Sequence, residues 1–452
     1  SFADKGDWVV DQQFMDQMGS PFLMAHGLGV PCADATTKVE FPETGRWYVW
    51  VRTRNWVSNW GFDEGPGQFQ LAVNGRPLST VFGKSGPPWH WQAGGSVDIK
   101  ECNASLALRD LTGFNGRCDA ILFARDPDFR APSGGRALAA FRKRALGLPD
   151  VPQDAGEFDL VVVGGGVAGT ATAVSAARLG VKVALIQNRP VLGGNSSSEV
   201  RVSPGGNLNQ GPYPNLGNLV WEIVPAISRG NAHKAKDFED DKKLRVVQAE
   251  PNISLFLNTH AYRVEKEQNR IVAVLAKNIR TNEELRFPAR FFADCTGDAS
   301  IGYWAGAAFR MGRESRVQTG ESLAPDEPDR MTMGATVMWR SRYNEIAPPF
   351  PSCPWAIQFS EENARRTIKA EWFWETGMHL DQIEDFEQVR DHGLRAAFGN
   401  WDFLKNKAEK RTRFANRELE WVAYISGKRE SRRLLGDVIL KEQDILERRA
   451  FP

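Results

Sequence analysis

Phe158-Asp-Leu-Val-Val-Val-Gly-Gly-Gly-Val-Ala-Gly169 is the stretch that decides the fold. Its first six residues read as a buried strand, which runs directly into a G-x-G-x-x-G made by Gly164, Gly166 and Gly169. The alanine-rich segment from Thr170 to about Leu179 predicts a helix closed by Gly180, and Val181-Lys-Val-Ala-Leu-Ile186 predicts a second strand. Strand, glycine turn, helix and strand within about 30 residues form a βαβ unit, and in that setting each glycine has a task. Gly164 permits the tight turn, Gly166 lets the backbone approach a pyrophosphate, and Gly169 lets the helix pack closely on the strand. The helix, entered through Val167 and Ala168, aims its positive N-terminal end at the phosphates. The acidic residue expected after the second strand is replaced by Gln187. Its amide, like that of Asn188, can still hydrogen-bond a ribose hydroxyl, but without the charge. That substitution weakens the argument for NAD more than the argument for FAD.

Three further elements follow in order. Arg189-Pro-Val-Leu-Gly-Gly-Asn-Ser196 resembles the segment with which FAD enzymes of the glutathione-reductase and fumarate-reductase type pass beneath the diphosphate. It makes Arg189, Gly193, Gly194, Asn195 and Ser196 candidate cofactor contacts. Ile253 to Val264 reads as a strand that includes a candidate contact at Ala261, followed by a strand at Ile271 to Leu275. Phe291-Phe-Ala-Asp-Cys-Thr-Gly-Asp298 resembles the Ala-Thr-Gly-Asp turn of the same flavoproteins, with Cys295 in the usual alanine position, and adds Thr296, Gly297 and Asp298. Together they predict an α/β, Rossmann-like three-layer domain of the FAD/NAD(P)-binding type, with FAD as its cofactor.

Working outward, seven of the 15 tryptophans precede residue 92, in a region of short alternating runs bounded by turns. Trp47 to Arg54, Gly67 to Val73, Ser105 to Arg109 and Asp119 to Phe123 read as strands, and Asn74-Gly75 as a hairpin turn. The expectation is an antiparallel β-sandwich module over residues 1–130, carbohydrate-binding-like in character. Its tryptophans admit two readings: exposed faces on which sugars stack, or large side chains filling a small core and its contact with the next domain. A Pro- and Gly-bounded helix near Ala137 to Leu146 makes 131–156 a linker, and 157–452 is the oxidoreductase domain. Helices are expected over Glu361 to Trp374 and Asp381 to Phe398, and under Arg429 to Arg433, whose arginines would line up at helical spacing.

Other motifs make the match closer than superfamily. Leu192 to Arg201, Tyr303 to Gly312, Gly320 to Pro325, Met331 to Gly334, Glu371 to Gly377, Gly399 to Trp401 and Gly427 to Asp437 resemble a family of bacterial FAD-dependent oxidoreductases found in secreted, polysaccharide-associated gene sets. Its members are sometimes labelled xanthan lyases. The resemblance covers residues 158 to 446. It implies periplasmic or secreted localisation and a saccharide or saccharide derivative as substrate. It also implies a C-terminal part that completes the FAD site and that relatives carry beyond Phe451-Pro452.

The flavin performs the hydride transfer in such enzymes, so the protein supplies position and electrostatics. Glu199 could accept a proton and Arg201 hold an anionic or hydroxyl-bearing substrate; alternatively the two pair with each other or with the fold. A fumarate-reductase-like reductase and a non-catalytic glycan-binding scaffold are the competing functions. Six scattered histidines and five cysteines without C-x-x-C give no metal spacing and exclude a disulfide-reductase mechanism. With 57 basic against 56 acidic residues, the chain has no field to attract nucleic acid, and no apolar run reaches the length of a membrane span. The expected partner is a small molecule, and the oligomeric state is not encoded in any motif.

Overall fold

A computed structural model describes residues 2–450 except 210, 212, 213, 216 and 227–229. Its largest sheet runs in the order Ile253–Phe256, Val183–Ile186, Phe158–Val163, Glu284–Asp294, Arg270–Asn278, Thr259–Glu267, with Gln153–Asp154 beside the start of Glu284–Asp294. The first four strands are parallel and the last three form an antiparallel meander. Glu284–Asp294 serves both parts: its first half pairs with the meander and its second half with Phe158–Val163. Val161 to Val163 and Val183 to Ile186 are buried, as parallel strands covered on both faces must be. Helices Val167–Arg178 and Asp240–Gln248 cover one face through Ala173, Val174, Ala177 and Val247. The meander and helix Ser300–Ala305 cover the other through Ala261, Val264, Phe287 and Ile301. Helix, sheet and meander are the three layers of the Rossmann-like α/β domain.

The strand expected over Ile253 to Val264 is two strands. Asn258, with φ of 52°, turns the chain out of the parallel sheet, so Thr259–Glu267 belongs to the meander. Asparagine tolerates this left-handed conformation better than most residues.

Antiparallel sheets occupy the region before residue 125 and enclose a core that includes Trp8, Trp47, Phe69, Leu71 and Leu108. Asn74 and Gly75, both with positive φ, make the tight turn between Phe69–Val73 and Arg76–Pro77. None of the seven tryptophans of this region is exposed. Trp50 lies beneath Arg130, and Trp56 belongs to a different core altogether.

That other core joins distant parts of the chain. Trp56 and Phe114 pack with Trp339, Trp355, Phe398 and Trp401, with Phe398 and Trp401 supplied by helix Phe386–Asp402. Beside it lies a buried ionic cluster: Arg117 pairs with Asp391 and, at 2.7 Å, with Glu387, while Arg390 reaches Asp11 at 2.6 Å. The intervening helix Gly135–Ala145 is likewise tied on two sides, through Arg142 to Asp119 and Lys143 to Glu284.

Two expected helices are absent. Over Glu361 to Trp374 the side chain of Asn400 takes both the N–H and the C=O of Arg365, and Lys369–Ala370 pairs with Trp339–Arg340. Backbone groups that a helix needs are thus engaged elsewhere. Arg429 to Arg433 is also extended: Gly427 bonds to Thr336, and Arg433–Leu434 pairs with Phe309–Arg310. No helix among the described residues is long and apolar enough to cross a membrane.

Candidate functional site

A cleft of about 580 Å³ opens at the C-terminal ends of Phe158–Val163 and Val183–Ile186. Open α/β sheets bind their ligands at this end of the strands. All the cofactor contacts expected from the sequence except Gly169 line it: Gly164, Gly166, Val167, Ala168, Gln187, Asn188, Arg189, Gly193, Gly194, Asn195, Ser196, Ala261, Thr296, Gly297 and Asp298.

The glycines divide by what a side chain would meet. A Cβ on Gly169 would lie 1.8 Å from the carbonyl oxygen of Gly164, so its absence sets how closely the helix approaches the strand. A Cβ on Gly164 would lie 2.1 Å from the carbonyl oxygen of Cys295, at a φ of 102°. Gly166 meets nothing within 4 Å, so its open side is space for a ligand. Gly193 bridges to Gly166 and donates its N–H to Gly165 at 2.8 Å, laying the Leu192-Gly-Gly-Asn195 loop against the glycine turn. The first intrahelical bond at the glycine turn is Thr170 N–H to Gly166 O, which leaves the amides of Val167, Ala168 and Gly169 without a partner among the described residues, the first two residues lining the cleft. The Ser196 hydroxyl is buried there without a protein partner among the described residues. Free amides, an orphaned hydroxyl and an open glycine fit an anionic diphosphate, and therefore FAD.

Gln187 does something other than expected. Its Oε1 accepts the Gly165 N–H at 2.9 Å and its Nε2 donates to Val191 O at 2.9 Å. The amide expected to reach a ribose hydroxyl is a clasp holding the glycine turn to the loop beyond the second strand. Asn188 and Arg189 line the cleft beside it. At the far side, Thr296 Oγ1 accepts from the amides of Asp298 and Ser300, fixing a turn with Gly297 at φ 82°. Asp298 is held by Lys428 at 2.9 Å and by the Ser431 hydroxyl at 2.7 Å.

The two expected catalytic residues stand outside the cleft lining. Arg201 lies over the Trp421 ring at 4.0 Å, donates to the Ser198 and His233 carbonyls, and is brought down to about 10 by burial. Glu199 faces Arg189, not Arg201, at 3.5 Å. Burial raises its carboxyl above the ordinary range, and Arg189 offsets this only in part. Its connection to the cleft runs through Arg189. Two arginines of the 429–433 run form ion pairs off the extended chain, Arg429 with Glu375 and Arg433 with Glu430 and Glu314, while Arg432 lies over the Tyr303 ring.

Several lining residues had no counterpart in the motif reading. Gln12, Gln13 and Asp16 arrive from the N-terminal region, and Phe386, Ser426 and Lys428 from the far end of the chain. Only Lys428 carried a signal, since it sits inside the Gly427-Lys-Arg-Glu-Ser-Arg-Arg motif.

Over 108 residues the chain is 27% identical to an iron-sulfur protein of the CoB–CoM heterodisulfide reductase of Methanopyrus kandleri, a match to 24% of this chain and 16% of that one. Over 81 residues it is 37% identical to glycerol-3-phosphate dehydrogenase 2 of Mycobacterium tuberculosis, covering 17% of this chain and 14% of the relative. The matched stretches thus span less than a fifth of either curated relative. Among solved structures, the glycerol-3-phosphate dehydrogenase from Bacillus halodurans complexed with FAD is similar at 16% identity and a TM-score of 0.25, over 40% of this chain and 46% of that one. The model of the FAD dependent oxidoreductase family matches residues 159–452, well over half of the sequence, and the chain belongs to that family.

Proposed function

We propose that the chain uses FAD to move hydride between the flavin and a small polar substrate, with a saccharide or saccharide derivative as the substrate class. The observation that carries this reading is the open side of Gly166, faced by the free amides of Val167 to Gly169 and clasped by Gly193. Bound there, FAD supplies the ring that gives or takes the hydride. The chain's own residues do the rest. The helix amides and Ser196 hold the diphosphate, and Arg189 adds a cation beside it. The Lys428–Asp298 pair fixes the Thr296-Gly297-Asp298 turn against the opposite wall. Glu199 acts as a positioning residue, steering Arg189 from behind. The saccharide class is supported by the resemblance to oxidoreductases of polysaccharide-associated gene sets.

The test is an absorbance spectrum of the purified protein, with and without added FAD, before and after dithionite. Mass spectrometry identifies any released chromophore. Flavin bands that bleach on reduction are expected, and oxidised sugars screened as acceptors or reduced sugars as donors then address the substrate. A protein that stays colourless and takes up no FAD overturns the reading.

A further inference from the structure

The segment Asp11 to Met18, part of the antiparallel N-terminal region, is fastened to the second half of the chain along its length. Asp11 is paired with buried Arg390 at 2.6 Å. Gln13 donates to the Tyr424 carbonyl at 2.8 Å and accepts the Ser426 N–H at 3.0 Å. Phe14 and Met18 pack with Phe386 and Val389. So anchored, the segment presents Gln12, Gln13 and Asp16 to the cofactor cleft. Asp16 then reaches across to the meander of the dinucleotide domain, where its Oδ1 meets His260 Nε2 at 2.8 Å. His260 precedes Ala261, and both line the cleft.

We propose that this segment is part of the cofactor site, and that Asp16 is a positioning residue which holds His260 in the cleft wall and so sets the affinity for FAD. The inference rests on the FAD reading above and adds to it a requirement for the N-terminal region. The charged groups facing Asp16 are His260, Lys428 and Arg432. The Asp16 side chain is 39% exposed; partial loss of water pushes its carboxyl up, but the hydrogen bond and charge of His260, with Lys428 and Arg432, outweigh this and hold it below the ordinary range. An ionised carboxylate that accepts from an imidazole is the stronger kind of hydrogen bond, and it fixes the ring's orientation. With Asp16 removed, His260 loses its partner and its ring is free to turn into or out of the cleft.

The test is FAD and ADP affinity, by calorimetry, of the full chain and of Asp16→Ala, Asp16→Asn, His260→Ala and the double variant Asp16→Ala/His260→Ala. Thermal unfolding is followed alongside. Asp16→Ala is expected to weaken FAD by about threefold, the scale of one partly exposed ion pair. Asp16→Asn keeps an acceptor for the imidazole but not the charge and is expected to recover part of that loss. The double variant should be no weaker than the worse single variant, because both act through one contact. Asp98→Asn, which breaks an exposed pair with Arg46 in the same region, should leave affinity unchanged. Wild-type affinity in Asp16→Ala, or fully additive losses in the double variant, overturns this inference while leaving the FAD reading intact. Failure of the unaltered chain to bind either FAD or ADP overturns both.

Discussion

Two of the molecule's interiors are built on opposite principles. The core of the dinucleotide sheet is rich in short aliphatic side chains, Val161, Val163, Ala184, Ile186, Val274 and Ala276, supplied by one continuous part of the chain between Phe158 and Ile301. The core around Trp56 and Trp401 is aromatic, and its members meet from opposite ends of the sequence. It also adjoins a buried ionic cluster, in which Arg117 pairs with Asp391 and Arg390 with Asp11. Each βαβ step buries its own apolar surface as it forms. The N-terminal share of the aromatic core, Trp56, Val57 and Phe114, is buried only when the N-terminal sheets meet the part of the chain that holds helix Phe386–Asp402, so those contacts carry the larger loop-closure cost. Only the first interior is built from one stretch of chain; the cleft also draws on Phe386, from the helix that supplies Phe398 and Trp401 to the second, and on Asp16 from the N-terminal region.

The sharpest way to break that dependence is Asp391→Ala. It leaves the fully buried guanidinium of Arg117 without its main partner and removes a partner of Arg390. Loss of one member of a buried pair costs about 3–5 kcal/mol, so the urea midpoint should fall steeply. Since the N-terminal segment is held through Arg390 and Asp11, FAD affinity should fall with it. An unchanged midpoint would show that the buried ionic cluster does little to join the two halves.

Acid should loosen the same joint. Burial by itself would raise the Asp391 carboxyl, but the charges of Arg117 and Arg390 outweigh it and hold the group below its ordinary value. The unfolded chain therefore takes up the proton first, near the ordinary aspartate value of about 3.9. The contribution is complete above about pH 5 and is lost as pH falls through the ordinary value towards the lowered one. Urea midpoints measured from pH 7 to 4 should decline at the acid end, with a shallower decline in Asp391→Asn. Parallel declines would assign the acid sensitivity to other carboxylates.

The same contrast between local and assembled structure explains what could be read in advance. The Phe158–Val163 strand, its glycine turn and the Val167–Arg178 helix follow from local pattern, and each glycine's task appears in what its missing Cβ would strike. Sequence-local reasoning misplaced Arg429 to Arg433 because nothing near those residues says that Gly427 will bond to Thr336 and Leu434 to Phe309. It misjudged Gln187 because the Gly165 amide and Val191 carbonyl it satisfies become neighbours only when the turn closes. Glu199 and Arg201, two apart in sequence, were natural partners on paper. The positive φ of Arg201, 65°, turns the chain so that its side chain meets Trp421 while Glu199 faces Arg189.

Within the glycine turn a smaller comparison separates packing from binding. Gly169→Ala must push apart two backbone segments and should cost about 1–3 kcal/mol, the range for overpacking. Gly166→Ser places a preferred capping residue at the N-cap, where the backbone is an ordinary extended one, with φ of −64°. Its side chain would fill the open side and occupy the helix amides. Thermal stability within about 0.5 kcal/mol of wild type, with FAD uptake abolished, is the expected result for Gly166→Ser. If both variants lost stability and binding together, the turn would be one packed unit and Gly166 would have no separate ligand-facing role.

The smallest effect is expected at Arg429, which pairs with Glu375 where both side chains are partly exposed, at 38% and 24%. Water screens such a pair and the long arginine side chain loses entropy in making it, so Arg429→Ala should change stability by no more than about 0.5 kcal/mol. Arg429 also lines the cleft and lies over the Trp372 ring at 5.2 Å. A stability change of several kcal/mol, read from the same urea titrations, would mean that this outer pair belongs with the Arg117–Asp391 cluster, and that the assembled half of the molecule extends to the rim of the cleft. A near-zero change confines that cluster to the interior and leaves Arg429 free to act on whatever the cleft holds.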